Sequence, residues 1–183
     1  MPIPRYLYRV FDESSVSSFD EDTGFVAGLP NGAFDRNKYW AKHVVQRHMD
    51  WGNRSRTPFI STTSLQKAEH YAEQRLEEWG HDGVYIAKID TATLRAAGVE
   101  IFHMATLVRE VRAYIVPPAW NQREYLCLHR IPPEAVIDCW MVEFTCGWWI
   151  YTLLLNTSLR LKTWQGIVRA SSGPLSRHSF EAQ

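Results

Sequence analysis

The sequence lacks both an excess of charge and a long apolar segment. Its 20 Lys and Arg residues balance 20 Asp and Glu residues, so no overall field attracts nucleic acid or an anionic membrane, and a nucleic-acid partner would need a local patch. The longest apolar run, residues 148–155, is broken by Thr152 and is far shorter than the roughly 20 residues of a membrane helix. We therefore expect no membrane partner.

The amino terminus, MPIPRYLYRVFDESS, has no basic start followed by an apolar stretch. We therefore expect no secretory signal. The compartment is not predicted: the protein is either cytoplasmic or delivered into a target cell.

Motifs for metals, disulfides and phosphate loops are also missing. Cys127, Cys139 and Cys146 show no CxxC spacing, and none of the seven histidines falls in an HExxH motif. No glycine-rich phosphate loop is present. We expect no metal site and no disulfide framework. His43 and His48 lie five residues apart in one predicted helix, and we expect both to be solvated.

What is present fits one globular domain. The chain has 183 residues, 45% of them hydrophobic and 22% charged, which is enough for one buried core. Aromatic residues reach 13% and include eight tryptophans, which favours a cleft or interface lined with rings. We expect a monomeric domain over residues 1–144. Residues 145–183 are interpreted as an extension of unknown role, partly disordered or packed on the domain.

Periodicity and turn residues predict an α+β fold. A first helix is expected from an N-cap at Asp35 to Met49, and Thr63 with Gln66 fits a capping box for a second helix ending near Trp79. A third, short helix should begin at Asp90. The predicted strands cover residues 6–11, 58–62, 84–89, 99–104, 109–116 and 124–131.

Three polar positions stand out against apolar surroundings. Arg9 interrupts a first strand, Ser61 and Thr62 end a second, and Glu124 begins a late strand after a loop broken by proline. Taken singly, each has an ordinary structural explanation. An edge arginine reaches solvent, hydroxyls cap helices, and a carboxylate at a strand end is hydrated.

Taken in order, these segments resemble the Arg–Ser–Glu class of mono-ADP-ribosyltransferases. That family includes the cholera-like and heat-labile enterotoxins, pierisin-like toxins and Rho-modifying clostridial exoenzymes. "LYRV" at 7–10 is similar to its arginine strand, "FISTTS" at 59–64 to its Ser-Thr-Ser strand, and "QREYLCLHRIP" at 122–132 to its catalytic strand. The third position of the Ser-Thr-Ser motif is Thr63 here. The resemblance implies a mixed β-sandwich with flanking helices and an NAD cleft between the sheets.

The resemblance also implies roles for the three positions. Arg9 would bind the phosphates of NAD, because its planar fork donates two hydrogen bonds at once. Glu124 would stabilise the oxocarbenium-like sugar that forms when nicotinamide leaves. Ser61 would bind NAD and orient Glu124, and Thr62 would support the NAD-binding strand. Water could attack the same centre, so slow NAD hydrolysis is expected.

Two further residues would face the acceptor. Gln122 lies one pleat from Glu124 and, by resemblance, would act in catalysis by selecting an acceptor other than arginine. Trp120 would contact the same group or anchor its loop. The acceptor is then a non-arginine protein side chain or a guanine base in DNA. Two alternatives stay open: a catalytically inactive relative that serves as a binding module, and a chance assembly of common residues on an unrelated α+β fold.

Overall fold

Two antiparallel sheets form the framework of the computed structural model, which describes residues 2–50, 55–114 and 123–142. The large sheet has the strand order β6-β7-β4-β1-β5-β9, and the small sheet has the order β2-β3-β8. The large-sheet strands are β1 (Tyr6–Phe11), β4 (Phe59–Thr63), β5 (Tyr85–Asp90), β6 (Ile101–His103), β7 (Glu124–Leu128) and β9 (Val136–Met141). The small-sheet strands are β2 (Phe19–Asp20), β3 (Gly24–Val26) and β8 (Arg130–Ile131).

Four α-helices accompany the sheets in the described part of the chain. They are α1 (Ala41–Met49), α2 (Leu65–Glu77), α3 (Thr91–Ala96) and α4 (Met104–Glu110), and a 3-10 helix spans Pro133–Ala135. The predicted α+β class is confirmed. None of the helices in the described ranges is long and apolar enough to cross a membrane.

The two faces of β4 explain how the layers pack. Successive side chains of a strand point to opposite faces. Ile60 joins the cluster between the two sheets, which includes Phe25 and Ile131 of the small sheet. Phe59 points the other way and packs with Val45 of α1 and with α4. The large sheet is therefore covered by the small sheet on one face and by helices on the other.

The second helix, α2, covers a different part of the large sheet. Its buried residues Ala68 and Ala72 pack with Val10 of β1 and Ile86 of β5. Because α2 follows β4 after the single residue Ser64, its start is fixed next to the end of that strand. This places the helix face that carries residues 67, 71 and 75 near β1 and β7.

Three predicted elements differ from the structure, and one of them, the strand over residues 124–131, is divided into β7 and β8, which belong to different sheets. The first helix begins at Ala41 and not at Asp35, because Asp35 closes a turn in which its carboxylate accepts from the amide of Asn37. The strand predicted over residues 109–116 is wrong in its described part: residues 109 and 110 end α4. Met104 and Leu107 are both buried, and this helical spacing overrides the strand preference of the nearby β-branched residues.

The predicted capping box is also wrong. The N-cap of α2 is Ser64, whose side chain makes no capping bond to the described residues. Thr63 Oγ1 instead donates to the carbonyl of Arg123 at 2.7 Å, and Gln66 Oε1 accepts from Arg123 Nη1 at 2.7 Å. Both side chains therefore tie the β4–α2 junction to the residue just before Glu124.

All described residues belong to one unit, Met1–Phe144. The predicted extension, residues 145–183, lies outside the described residues.

Candidate active site

The pairing of β4 with β7 places Ser61 and Glu124 on one face of the large sheet. Thr63 lies opposite Glu124, and Ser61 lies opposite Leu126. Directly opposite residues share a face, as do residues two apart on one strand. A cavity of about 620 Å³ opens at this point, and its lining includes Arg9, Ser61, Thr62 and Glu124. The structure thus brings together residues that are more than 100 positions apart in sequence.

Glu124 is buried and held by α2. Only 4% of the residue is exposed. Its Oε1 accepts from Lys67 Nζ at 2.9 Å and from the Tyr71 hydroxyl at 2.7 Å. Lys67 and Tyr71 are four residues apart and so share a helix face. Among the described residues, no group donates to Oε2, so this oxygen is available to a ligand in the cavity.

Tyr71 acts as a hydrogen-bond donor in this arrangement. Burial raises the pKa of Tyr71 far above its ordinary value, and the charge of Glu124 and the hydrogen bond to it act in the same direction. The phenol therefore keeps its proton at neutral pH. It fixes the carboxylate without adding negative charge to the site.

The predicted hydrogen bond from Ser61 to Glu124 is not made. Ser61 Oγ pairs with His48 Nε2 at 2.8 Å, and His48 Nδ1 pairs with Thr57 Oγ1 at 2.6 Å. The expectation that His48 is solvated is wrong. Burial lowers the pKa of His48 to about 4, and the positive charge of Arg9 contributes. The imidazole is therefore neutral at pH 7 and joins two hydroxyl groups.

The spacing of apolar residues in α1 indicates that His48 lies on the buried face of the helix. The side chain lies three residues after Val45, which is fully buried, and four after Val44, which packs against the same cluster. Residues at these spacings share a helix face. His43 falls on the other side of the helix and is exposed, as expected from the sequence. Whether a histidine in this helix is buried therefore depends on its position relative to the apolar face that carries Val44 and Val45.

Arg9 connects neighbouring segments of the site by donating hydrogen bonds to backbone carbonyls. Its Nη1 donates to the carbonyl of Ser61 at 2.9 Å, and its Nη2 donates to the carbonyl of Ser17 at 2.8 Å. The guanidinium also lies over the ring of Phe25, 5.2 Å from its centroid. Nε is buried and has no hydrogen-bond partner within the described residues. The side chain thus connects β1, β4 and the small sheet.

Arg9 keeps its positive charge in this environment. Burial lowers the pKa of Arg9 to about 10, and the nearby charge of Arg75 adds to the effect. The group remains a cation at neutral pH. Its remaining Nη hydrogens are the ones that could reach a ligand in the cavity.

Thr62 supports the sheet with its hydroxyl. Its Oγ1 donates to the carbonyl of Tyr125 at 3.1 Å, and the residue is 2% exposed. The side chain lies on the opposite face of β4 from Ser61, as strand alternation requires. Thr62 therefore borders the cavity while its hydroxyl strengthens the β4–β7 pair.

A second polar cluster, formed by Asp12, Arg75 and His81, lies beside the same cavity and was not predicted from the sequence. Asp12, which is 3% exposed, accepts at Oδ2 from Arg75 Nη1 and from His81 Nδ1, both at 2.7 Å. Its Oδ1 accepts from the amide and hydroxyl of Ser14. Burial alone would raise the pKa of Asp12, but hydrogen bonds from His81 and Ser14 and the charge of Arg75 lower it well below its ordinary range. Arg75 and His81 both line the cavity.

The proposed acceptor residues Trp120 and Gln122 lie outside the described residues. Their roles stay predictions. Arg123, the described residue next to them, has a φ of +123°, a conformation that side-chain-bearing residues rarely adopt and that is often found at functional sites. Across the described ranges, no group of three or more His, Cys, Asp or Glu side chains is arranged to hold a metal ion.

Comparison with known families places the chain in one of them. Residues 2–145 match the domain of unknown function DUF7587, and the chain belongs to that family. No curated protein matches it. Among solved structures, the chain is similar to EcPltA, with 20% sequence identity and a TM-score of 0.43 over 79% of each chain.

Proposed function

We propose that this protein is a mono-ADP-ribosyltransferase that transfers ADP-ribose from NAD to a macromolecular acceptor and releases nicotinamide. The observation that supports the proposal is the meeting of Arg9, Ser61 and Glu124, from three separate strands, at one cavity of about 620 Å³. That volume falls within the usual range for small-molecule sites. The same three residues carry the resemblance of the sequence to the Arg–Ser–Glu class.

Glu124 stabilises the reacting sugar in this proposal. Cleavage of the bond between nicotinamide and ribose develops positive charge on the sugar, as in other glycosyl transfers. A fixed carboxylate in a site shielded from water stabilises that charge without reorganising. Lys67 and Tyr71 both bind Oε1, so Oε2 is left to accept a hydrogen bond from a ribose hydroxyl.

Ser61 and His48 line the same cavity as this carboxylate. Because the imidazole is neutral, it adds no positive charge where the sugar becomes cationic. Its two hydrogen bonds to hydroxyls fix Ser61 Oγ. Ser61 therefore presents an ordered oxygen to NAD, and Arg9 supplies positive charge for the phosphates while it braces the strand that carries Ser61.

The acceptor side of the proposal rests on the sequence. Gln122 offers an amide donor and acceptor and cannot act as a base, and Trp120 offers a ring for contact or stacking. We therefore propose a non-arginine side chain or a guanine base as the acceptor. A guanine would have to be accessible outside its base stack.

A transfer assay tests this function. NAD labelled in its adenylate half is incubated with the protein and with separate pools of cell protein and DNA. The native chain should label one pool. Glu124→Gln should not, because a neutral amide provides no charge to stabilise the sugar cation. Glu134→Gln is the matched control, since Glu134 is exposed and does not line the cavity. Equal labelling by native protein and Glu124→Gln would refute the assignment.

One contact favours a second candidate, an inactive NAD-binding module. Lys67 Nζ lies 2.9 Å from Glu124 Oε1 and offsets part of the carboxylate charge that the reaction requires. Calorimetric titration with NAD, followed by measurement of free nicotinamide, separates the two functions. The module binds NAD and releases no nicotinamide, whereas the transferase releases it slowly even without an acceptor.

A further inference from the structure

A second arginine borders the cavity that holds Arg9. Arg75, near the end of α2, lines the cavity together with His81, Ser14 and Ser15. Its side chain is 23% exposed, so it is not fully enclosed by the protein. The proposed catalytic roles do not use it.

Arg75 is held in place with donors to spare. Nη1 donates to Asp12 Oδ2 at 2.7 Å and to Ser15 Oγ at 3.1 Å. Among the described residues, neither Nη2 nor Nε of Arg75 has an acceptor. An anchored guanidinium with unused N–H groups is a favourable anion ligand, because the anchoring has already cost the side chain its freedom.

The charges around Arg75 leave this part of the cavity positive. The charge of Asp12 is offset by its ion pair with Arg75, and Asp50 and Arg56, which also line the cavity, carry opposite charges. Glu124 is paired with Lys67. Arg9 adds a further full charge, and it is close enough to Arg75 for the two to repel each other, as the lowered pKa of Arg9 reflects after burial.

Arg9 and Arg75 differ in what they can offer an anion. Both Nη atoms of Arg9 already donate to backbone carbonyls, and its Nε is buried. Arg75 keeps one edge of its guanidinium, formed by Nε and Nη2, without an acceptor in the described part of the chain. Planar, bidentate contact with phosphate oxygens requires such an edge.

We propose that Arg75 is the principal ligand of a diphosphate in this cavity, with Arg9 contributing charge from the strand side. The assignment rests on the proposed function, since NAD supplies the diphosphate. Ser14 and Ser15 line the same region, and both donate their hydroxyl protons to Asp12 Oδ1, so they hold the carboxylate that anchors Arg75.

Calorimetry with three probes tests the subsite. The probes are NAD, inorganic pyrophosphate and nicotinamide riboside, which carries no phosphate. Arg75→Met should weaken NAD and pyrophosphate about ten- to a hundredfold, the range for a lost charged hydrogen bond, and leave the riboside unchanged. Arg75→Lys, which keeps the charge beside Asp12, should recover part of the loss. Arg95→Met is the matched control, because Arg95 is exposed and away from the cavity.

Two results would overturn the subsite. One is native affinity of Arg75→Met for NAD and pyrophosphate. The other is an equal loss for all three probes together with a lower melting temperature, which would show that Arg75 only supports the fold through Asp12.

The same data separate this inference from the proposed function. Pyrophosphate binding that depends on Arg75, without nicotinamide release from NAD, would keep the subsite and reject the transferase. Nicotinamide release with no dependence of binding on Arg75 would keep the transferase and reject the subsite. Native protein that binds neither pyrophosphate nor NAD would reject both.

Discussion

The neutral, partly buried His48 should make the stability of this protein depend on pH. Its pKa is lowered from 6.5 to about 4 by burial and by the charge of Arg9. In the unfolded chain the imidazole takes up a proton as the pH falls through about 6.5, whereas in the folded protein it does so only near 4. The stabilisation is therefore complete above pH 6.5 and is lost between about 6.5 and 4.

The size of the effect follows from the two pKa values. A difference of one pKa unit corresponds to about 1.4 kcal/mol, so protonation of His48 accounts for about 3 kcal/mol between pH 7 and pH 4. This is a large part of the 5–15 kcal/mol typical of a domain. His48→Gln should remove the dependence, because an amide can still bond to the hydroxyls of Ser61 and Thr57 but does not titrate.

Urea unfolding at pH 7, 6, 5 and 4 measures the effect. The free energy of unfolding of native protein should fall by about 3 kcal/mol more than that of His48→Gln over this range. Other titrating groups, Asp12 included, are common to both proteins and cancel in the difference. His43→Gln, exposed on the same helix, should behave as native. Parallel curves for native protein and His48→Gln would refute the neutral imidazole.

Two further substitutions have defined outcomes. Tyr71→Phe removes one of two hydrogen bonds to Glu124 Oε1, so nicotinamide release should fall about tenfold while unfolding changes by about 1 kcal/mol; unchanged release would show that Tyr71 does not orient the carboxylate. Gly24→Ala should destabilise by about 3 kcal/mol, because φ is +72° and the new Cβ would overlap the carbonyl of Ile131. Gly98→Ala, with similar φ and open space, should cost only about 1 kcal/mol by urea unfolding.

The parts of the site that lie on strands could be predicted from sequence. Arg9, Ser61 and Glu124 each interrupt or end an apolar strand, and such breaks in a local pattern are visible in one segment at a time. Their order along the chain then supplied the resemblance. The structure adds that all three border one cavity.

The parts of the site that depend on contacts between distant segments could not be predicted. Asp12, Arg75 and His81 come from a loop, a helix and the turn after it, and only the tertiary fold joins them. The same holds for the partners of Glu124, because the sequence does not reveal which helix face covers β7. The prediction of Asp35 as a helix N-cap was also wrong, because a carboxylate can accept a hydrogen bond in a turn as well as at a helix N-terminus.

The proposed role of Glu124 is tested by the release of nicotinamide from NAD by purified native protein and by Glu124→Gln. We expect slow release by native protein that increases with a suitable acceptor, release reduced about a hundredfold or more in Glu124→Gln, and native rates in Glu134→Gln. Wild-type rates in Glu124→Gln, or no release by native protein under any condition, would contradict it.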